Sequence, residues 1–197
     1  MKCVSLFSGC GGLDQGLEQA GFTIVLAVDN WKRAGESYAA NRPVTPFYCG
    51  SVTDLTVPLM RRLSKGETAR SIDLLAGGPP CPPYSKSRFY RKTKPRGLED
   101  AVGQETLAGY LKVLRMLKPG AFLLENVAGM AYKVQDQALK LVQATAEELG
   151  YSHVWRVINA ASYGVPQIRE RFFMVGCAKE RLSFPRTRTA AATRGAA

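Results

Sequence analysis

Nine residues near the middle of the chain, Gly77-Gly78-Pro79-Pro80-Cys81-Pro82-Pro83-Tyr84-Ser85, restrict its fold more than any others. They follow an apolar run, Ile72-Asp73-Leu74-Leu75-Ala76, that predicts a buried strand. Four prolines fix φ and remove backbone donors, so neither a helix nor a central strand passes through. Cys81 is therefore expected on a stiff, exposed turn at a strand's end, a poor place for a packing cysteine and a good one for a reactive thiol. A Pro-rich surface turn with an incidental cysteine is the plainer reading of the same nine residues.

The chain before this turn alternates strand and helix. Cys3 to Phe7 predicts a short buried strand, Ser8-Gly9-Cys10-Gly11-Gly12 a tight turn, and Leu13 to Ala20 an amphipathic helix. Glycines let backbone approach a ligand closely, and a helix start presents free N–H groups. Glycine turns are also ordinary joints in any α/β fold. Thr23 to Val28 predicts a second strand, ending in Asp29-Asn30 before a helix from Trp31 to Ala40. An acid at that strand end can accept hydrogen bonds from both hydroxyls of a ribose, although a helix N-cap also explains it. Phe47-Tyr48-Cys49 predicts a third strand, Gly50-Ser51-Val52 its turn, and Pro58 to Ser64 a short helix. Glycine turn and acid together point to a nucleotide-like cofactor.

Past Cys81, Lys86, Arg88, Arg91, Lys92, Lys94 and Arg96 occur with no acid among them, interleaved with Phe89 and Tyr90. Solvated faces carry both signs, so this run favours contact with phosphate. The net charge of +11 over 197 residues agrees, favouring a polyanionic partner, nucleic acid before membrane. Leu107 to Leu117 predicts a crossover helix stopped by Lys118-Pro119-Gly120, and Ala121 to Leu124 a buried strand ending in Glu125-Asn126-Val127. A helix from Ala138 to Leu149 and strands Val154 to Ile158 and Arg171 to Gly176 complete the pattern. The connection between those strands carries Arg169 and Arg171 at alternating positions, which in extended backbone point to one side. Residues 1–180 are expected to form one domain and the low-complexity end, 181–197, a disordered tail. Five cysteines without a C-x-x-C pair, and a single histidine, His153, argue against a metal site and for reduced thiols in a cytoplasm. The start is too short in apolar residues for a signal peptide, and no run approaches membrane-spanning length.

Cys81, Glu125 and the two arginines suit one chemistry. A thiolate adding to carbon 6 of cytosine turns carbon 5 into an enamine carbon that takes an electrophilic methyl group. Cysteine is both a strong nucleophile and a competent leaving group. A carboxyl at Glu125 donates a proton to ring N3 as the thiolate adds. Arg169 and Arg171 hold the base carbonyl, the glutamate or a flanking phosphate. The residues by themselves reach an α/β enzyme with a nucleophilic cysteine and a nucleotide-like cofactor.

The chain resembles the cytosine-C5 DNA methyltransferases along nearly all its expected ordered length. Phe7-Ser8-Gly9-Cys10-Gly11-Gly12 is similar to that family's S-adenosylmethionine loop and Asp29 to its ribose-binding acid. Pro80-Cys81 with Ser85 is similar to its nucleophile motif, Glu125-Asn126-Val127 to its proton-donor motif, and Gln167-Ile168-Arg169-Glu170-Arg171 to its arginine motif. The resemblance implies a doubly wound, Rossmann-like sheet, mostly parallel with an antiparallel last strand. It implies S-adenosylmethionine as methyl donor, with Asn30, Ser51 and Val52 among its contacts, and double-stranded DNA as partner. Ser85, Lys86, Arg88, Arg91, Lys92, Lys94 and Arg96 would close on that DNA around a flipped cytosine. Two positions depart from the family pattern: Pro82 stands where glutamine is common, and Ser51 where an acid is usual. The family continues past its arginine motif with a target-recognition domain and a closing motif. A truncated enzyme, or half of a split one completed by a second polypeptide, is therefore expected. An RNA cytosine methyltransferase and an inactive binding remnant are the alternatives.

Overall fold

The computed structural model describes residues 1–67, 71–80, 101–132, 136–178 and 182–185. The first half runs β1 (Lys2–Leu6), α1 (Gly12–Gln19), β2 (Thr23–Asp29), α2 (Lys32–Asn41), β3 (Phe47–Cys49), α3 (Val57–Leu63) and β4 (Leu74–Gly77). The second runs α4 (Ala101–Leu117), β5 (Ala121–Val127), α5 (Asp136–Glu148), β6 (Ser152–Asn159) and β7 (Glu170–Cys177), with single 3-10 turns at Val52–Asp54, Ala128–Ala131 and Ala160–Tyr163.

The seven strands form one sheet in the order β3-β2-β1-β4-β5-β7-β6. The pairs from β3 to β5 are parallel, and β7 runs antiparallel to both β5 and β6. This is the doubly wound sheet with an antiparallel last strand that the sequence predicts. Strand order reverses between β1 and β4, so their C-terminal ends flank the crevice where open α/β sheets bind ligands. Because β7 is inverted, its N-terminal end lies at this same edge.

Two apolar layers hold the sheet. On one face Val4, Leu6, Leu75, Phe122, Leu124, Phe172 and Met174 pack against α3, α4 and α5 through Met60, Tyr110, Leu114 and Val142. Phe122 fits because its β7 neighbour on that face is Gly176, where any Cβ would run into the Phe122 ring. On the other face Cys3, Ile24, Ala27, Leu74 and Ala76 lie under Leu17 of α1 and Tyr38 of α2. That cover stops at β4. Over β5, β7 and β6 the same face carries the rows Leu123–Val175–Val154 and Glu125–Phe173–Arg156, all half-buried or exposed. Beyond residue 180, Phe184 lies against the Arg156 guanidinium, 5.4 Å from ring centroid to Cζ, and Tyr163 donates its hydroxyl to the Pro185 carbonyl. Among the described residues no helix is long and apolar enough to cross a membrane.

The expected elements all occur, with shifted bounds. Phe7 leaves β1 with φ 55°, and α4 starts at Ala101 instead of Leu107.

Candidate active site

The glycine turn is built at the end of β1. Phe7, Gly9 and Gly11 have positive φ, at 55°, 55° and 90°, which bends the chain sharply before α1. The turn is tied down from three sides. The Ser8 amide donates to the Val28 carbonyl at 3.1 Å, the Gly11 amide to the Ser8 carbonyl at 2.9 Å, and the Gly9 amide to Asp29 Oδ2 at 2.9 Å. Asp29 Oδ1 accepts from the Trp31 amide at 2.9 Å. Asp29 is thus a brace between turn and strand, and the N-cap position of α2 falls on Trp31, which has no side-chain cap. Each Asp29 oxygen spends one lone pair on the backbone and keeps another for an incoming hydroxyl.

This crevice fits S-adenosylmethionine on three counts. Glycines at 9, 11 and 12 remove side chains from half of the turn, the first N–H groups of α1 have no intrahelical acceptor, and Asp29 offers acceptors at the end of β2. Cys10 and Asn30 are exposed on the same rim. Across it, Ser51 accepts from the Thr53 amide at 3.2 Å and pairs with the Thr53 hydroxyl at 2.7 Å, while Val52 turns its side chain into the core.

The second group of residues forms where β5 meets β7. Val127 pairs with Arg171 in the ladder and Glu125 with Phe173, so Glu125 and Arg171 are diagonal neighbours on the open face. Arg171 Nε lies 3.1 Å from Glu125 Oε1. Burial pushes the Glu125 carboxyl above the ordinary carboxylate range, and the Arg171 and Arg169 charges only partly offset it. The exposed Arg169 is held by its backbone: its amide donates to Asn159 Oδ1 at 3.1 Å and its carbonyl accepts from Ala160.

The stem of the Pro-rich turn closes the third side. A Cβ on Gly78 would lie 2.9 Å from Glu125 Oε2, so the missing side chain is what lets the carboxylate sit there. Asn126 is buried, with Nδ2 3.5 Å from the Pro79 carbonyl and Oδ1 accepting from the Val127 amide at 2.8 Å. Cys81 follows Pro80 in sequence and lies outside the described residues, as do Ser85, Lys86, Arg88, Arg91, Lys92, Lys94 and Arg96.

A family model for C-5 cytosine-specific DNA methylases matches residues 1–193. The chain belongs to that family. It is 36% identical to the type II methyltransferase M.SacI of Streptomyces achromogenes over 89% of this chain, and 35% identical to M.NgoPII of Neisseria gonorrhoeae over 96%. It covers 47% and 52% of those two relatives, so this methylase chain spans about half the length of the curated relatives it matches. A prophage-encoded E. coli protein described as a DNA modification methyltransferase superposes with a TM-score of 0.75 at 27% identity, over 90% of this chain and 46% of that one. The Entamoeba histolytica methyltransferase EhMeth has the same fold, with a TM-score of 0.75 at 18% identity, over 96% of this chain and 57% of its own.

Three residues of the candidate site escape a motif reading. Trp31 is 63% exposed and its amide is bonded to Asp29, and a tryptophan two residues after the strand-ending acid is the signal that marks it. Gly78 and Asn159 act on Glu125 and Arg169 through contacts that no local pattern encodes.

Proposed function

We propose that the chain is the catalytic part of an S-adenosylmethionine-dependent DNA cytosine-C5 methyltransferase, working on a cytosine flipped from the duplex. The observation that carries this is the Glu125–Arg171 pair, set against the Gly78 stem that leads to Cys81 three residues later. A carboxyl raised by burial holds its proton for the ring nitrogen while the Cys81 thiolate adds to carbon 6. Arg171 fixes the carboxyl's orientation, and the nearby Arg169 stands where a base carbonyl or a phosphate can be held. S-adenosylmethionine supplies the electrophilic methyl group. Phe7 to Gly12, Asp29, Asn30 and the backbone at Ser51 and Val52 bind and orient it, with Trp31 as a stacking face. The basic run from Lys86 to Arg96 tracks the DNA backbone.

A second polypeptide, or further chain, completes this enzyme. The half-buried row Leu123–Val175–Val154, with Phe173 beside it, supports that reading, since no helix among the described residues packs over it. Residues 1–180 form the catalytic domain and 181–197 its tail, and the enzyme acts inside the cell on genomic DNA.

A duplex with 5-fluorocytosine at the target position tests the assignment. Incubated with S-adenosylmethionine and a polypeptide carrying a recognition domain, the wild-type chain should form a denaturant-resistant adduct and Cys81→Ser none. An adduct that survives in Cys81→Ser would overturn the role of that thiol.

A further inference from the structure

Arg42 stands at the C-terminal end of α2, outside every motif that points to methyl transfer, yet it is only 9% exposed. Its Nε and Nη2 each lie 3.0 Å from Glu18 Oε2, and Nη2 also donates to Gln15 Oε1 at 3.0 Å. The guanidinium carbon sits 5.2 Å from the centroid of the Tyr38 ring. Tyr38 in turn donates its hydroxyl to Asp14 Oδ2 at 2.7 Å, and the fully buried Asp14 accepts from the Ser5 hydroxyl as well. The remaining nitrogen, Nη1, lies directly behind Gly11, where an added Cβ would collide with it and would meet Arg42 Cζ and the Tyr38 ring edge at 3.0 Å.

A cation is an odd choice for this place. It lies along α1 from Gly11 to Glu18, and its burial needs the Glu18 partner. A hydrocarbon would fill the same space at less cost. What arginine adds is a flat, rigid fork pinned by several bonds at once. Gly11, at the N-cap of α1 with φ 90°, rests on that plate. We propose that Arg42 is a positioning residue for the glycine turn. Held by Glu18, Gln15 and Tyr38, it backs Gly11 and keeps the turn in its binding shape before any ligand arrives, which removes an ordering cost from binding.

This rests on the glycine turn as the S-adenosylmethionine site, and the test separates the two ideas. Amide hydrogen exchange of the free 197-residue chain reads the turn without a ligand. Arg42→Ala should speed exchange at the Gly9 and Gly11 amides at least tenfold while Val4 and Leu75 exchange as in the wild type. Titration with S-adenosylhomocysteine should then show a Kd at least tenfold weaker for Arg42→Ala. Glu18→Gln, which keeps the arginine but loosens its anchor, should give a smaller effect of the same kind and guards against an Arg42→Ala chain that does not fold. Gly11→Ala supplies the geometric check: its penalty on the turn should shrink when Arg42 is also alanine, because the clashing plate is gone. Unchanged exchange at Gly9 and Gly11 in both Arg42→Ala and Glu18→Gln, or strictly additive penalties in the double variant, would overturn the proposal. A wild-type chain that fails to bind the ligand while Arg42→Ala still loosens the turn would instead break the cofactor reading and leave the buttress standing.

Discussion

Among the described residues both faces of the sheet are packed around β1, β2 and β4, whereas around β5, β7 and β6 only one is. The difference shows in how each half treats its polar groups. In the closed half Asp14 is fully buried and satisfied by Ser5 and Tyr38, and Arg42 by Glu18 and Gln15. In the open half Glu125 and Arg171 are each about a quarter exposed and are joined by an ion pair at the sheet's rim. The closed half has its buried polar groups paired with one another. The open half holds its acid at the sheet's rim, and the same opening leaves Leu123, Val175, Val154 and Phe173 half-buried.

Two phenylalanines on the second half of the sheet put the contrast in energetic terms. Phe122 is fully buried against Tyr151, with ring centroids 5.4 Å apart, while Phe173 lies half-buried on the open face. Phe122→Ala should cost about 3–5 kcal/mol in urea unfolding and Phe173→Ala about 1 kcal/mol. Equal losses would mean that the open face is closed in solution. With a recognition polypeptide bound, the Phe173→Ala cost should grow if that partner covers the face.

Next in size is the acid itself. Glu125→Gln should slow methyl transfer by roughly 10²-fold or more with S-adenosylhomocysteine affinity unchanged in calorimetry. A parallel loss of affinity would place Glu125 in the cofactor half of the comparison instead. Gly78→Ala acts on the same carboxylate from behind. Its methyl group should push Oε2 off its seat and lower kcat by about tenfold to a hundredfold, with thermal stability near wild type. Full activity would show that the carboxylate has room to spare.

The smallest effect expected is a titration shift. Burial raises the Glu125 pKa and Arg171 lowers it, so Arg171→Gln should move the carboxyl's midpoint further up, followed by 13C NMR of labelled glutamate. The sign for stability follows by linkage. A carboxyl raised in the folded state contributes stability that is present below its ordinary value and lost as pH rises through the raised one. In Arg171→Gln that loss should extend to higher pH, and a midpoint that moves down would break the account of the pair.

The alternation of strand and helix was legible in the sequence because it depends on neighbours a few residues apart. Phe47–Cys49 is a strand between turn residues, and the Lys118-Pro119-Gly120 stop follows α4 as expected. The early start of α4 was hidden because its first turns, Ala101 to Thr106, carry no regular apolar stripe to mark them. The motifs were legible too, as residue types in order: the glycine turn, Asp29, Glu125-Asn126-Val127, Arg169 and Arg171.

What those motifs do to one another depended on contacts between distant parts of the chain. Glu125 and Arg171 meet because β7 is inverted and pairs with β5 in one particular register, a choice made by backbone hydrogen bonds across the sheet. Gly78 beside Glu125 and Arg42 behind Gly11 are coincidences of packing between separate elements, and no periodicity carries them. The open face has the same origin. Leu123, Phe173 and Val175 alternate in their strands as core residues do, and only the placement of α1 and α2 over the other half of the sheet leaves them partly bare. Local sequence determined which elements form and which reactive groups they carry; burial and register, which are non-local, decided which groups share a site and which side chains stay partly bare.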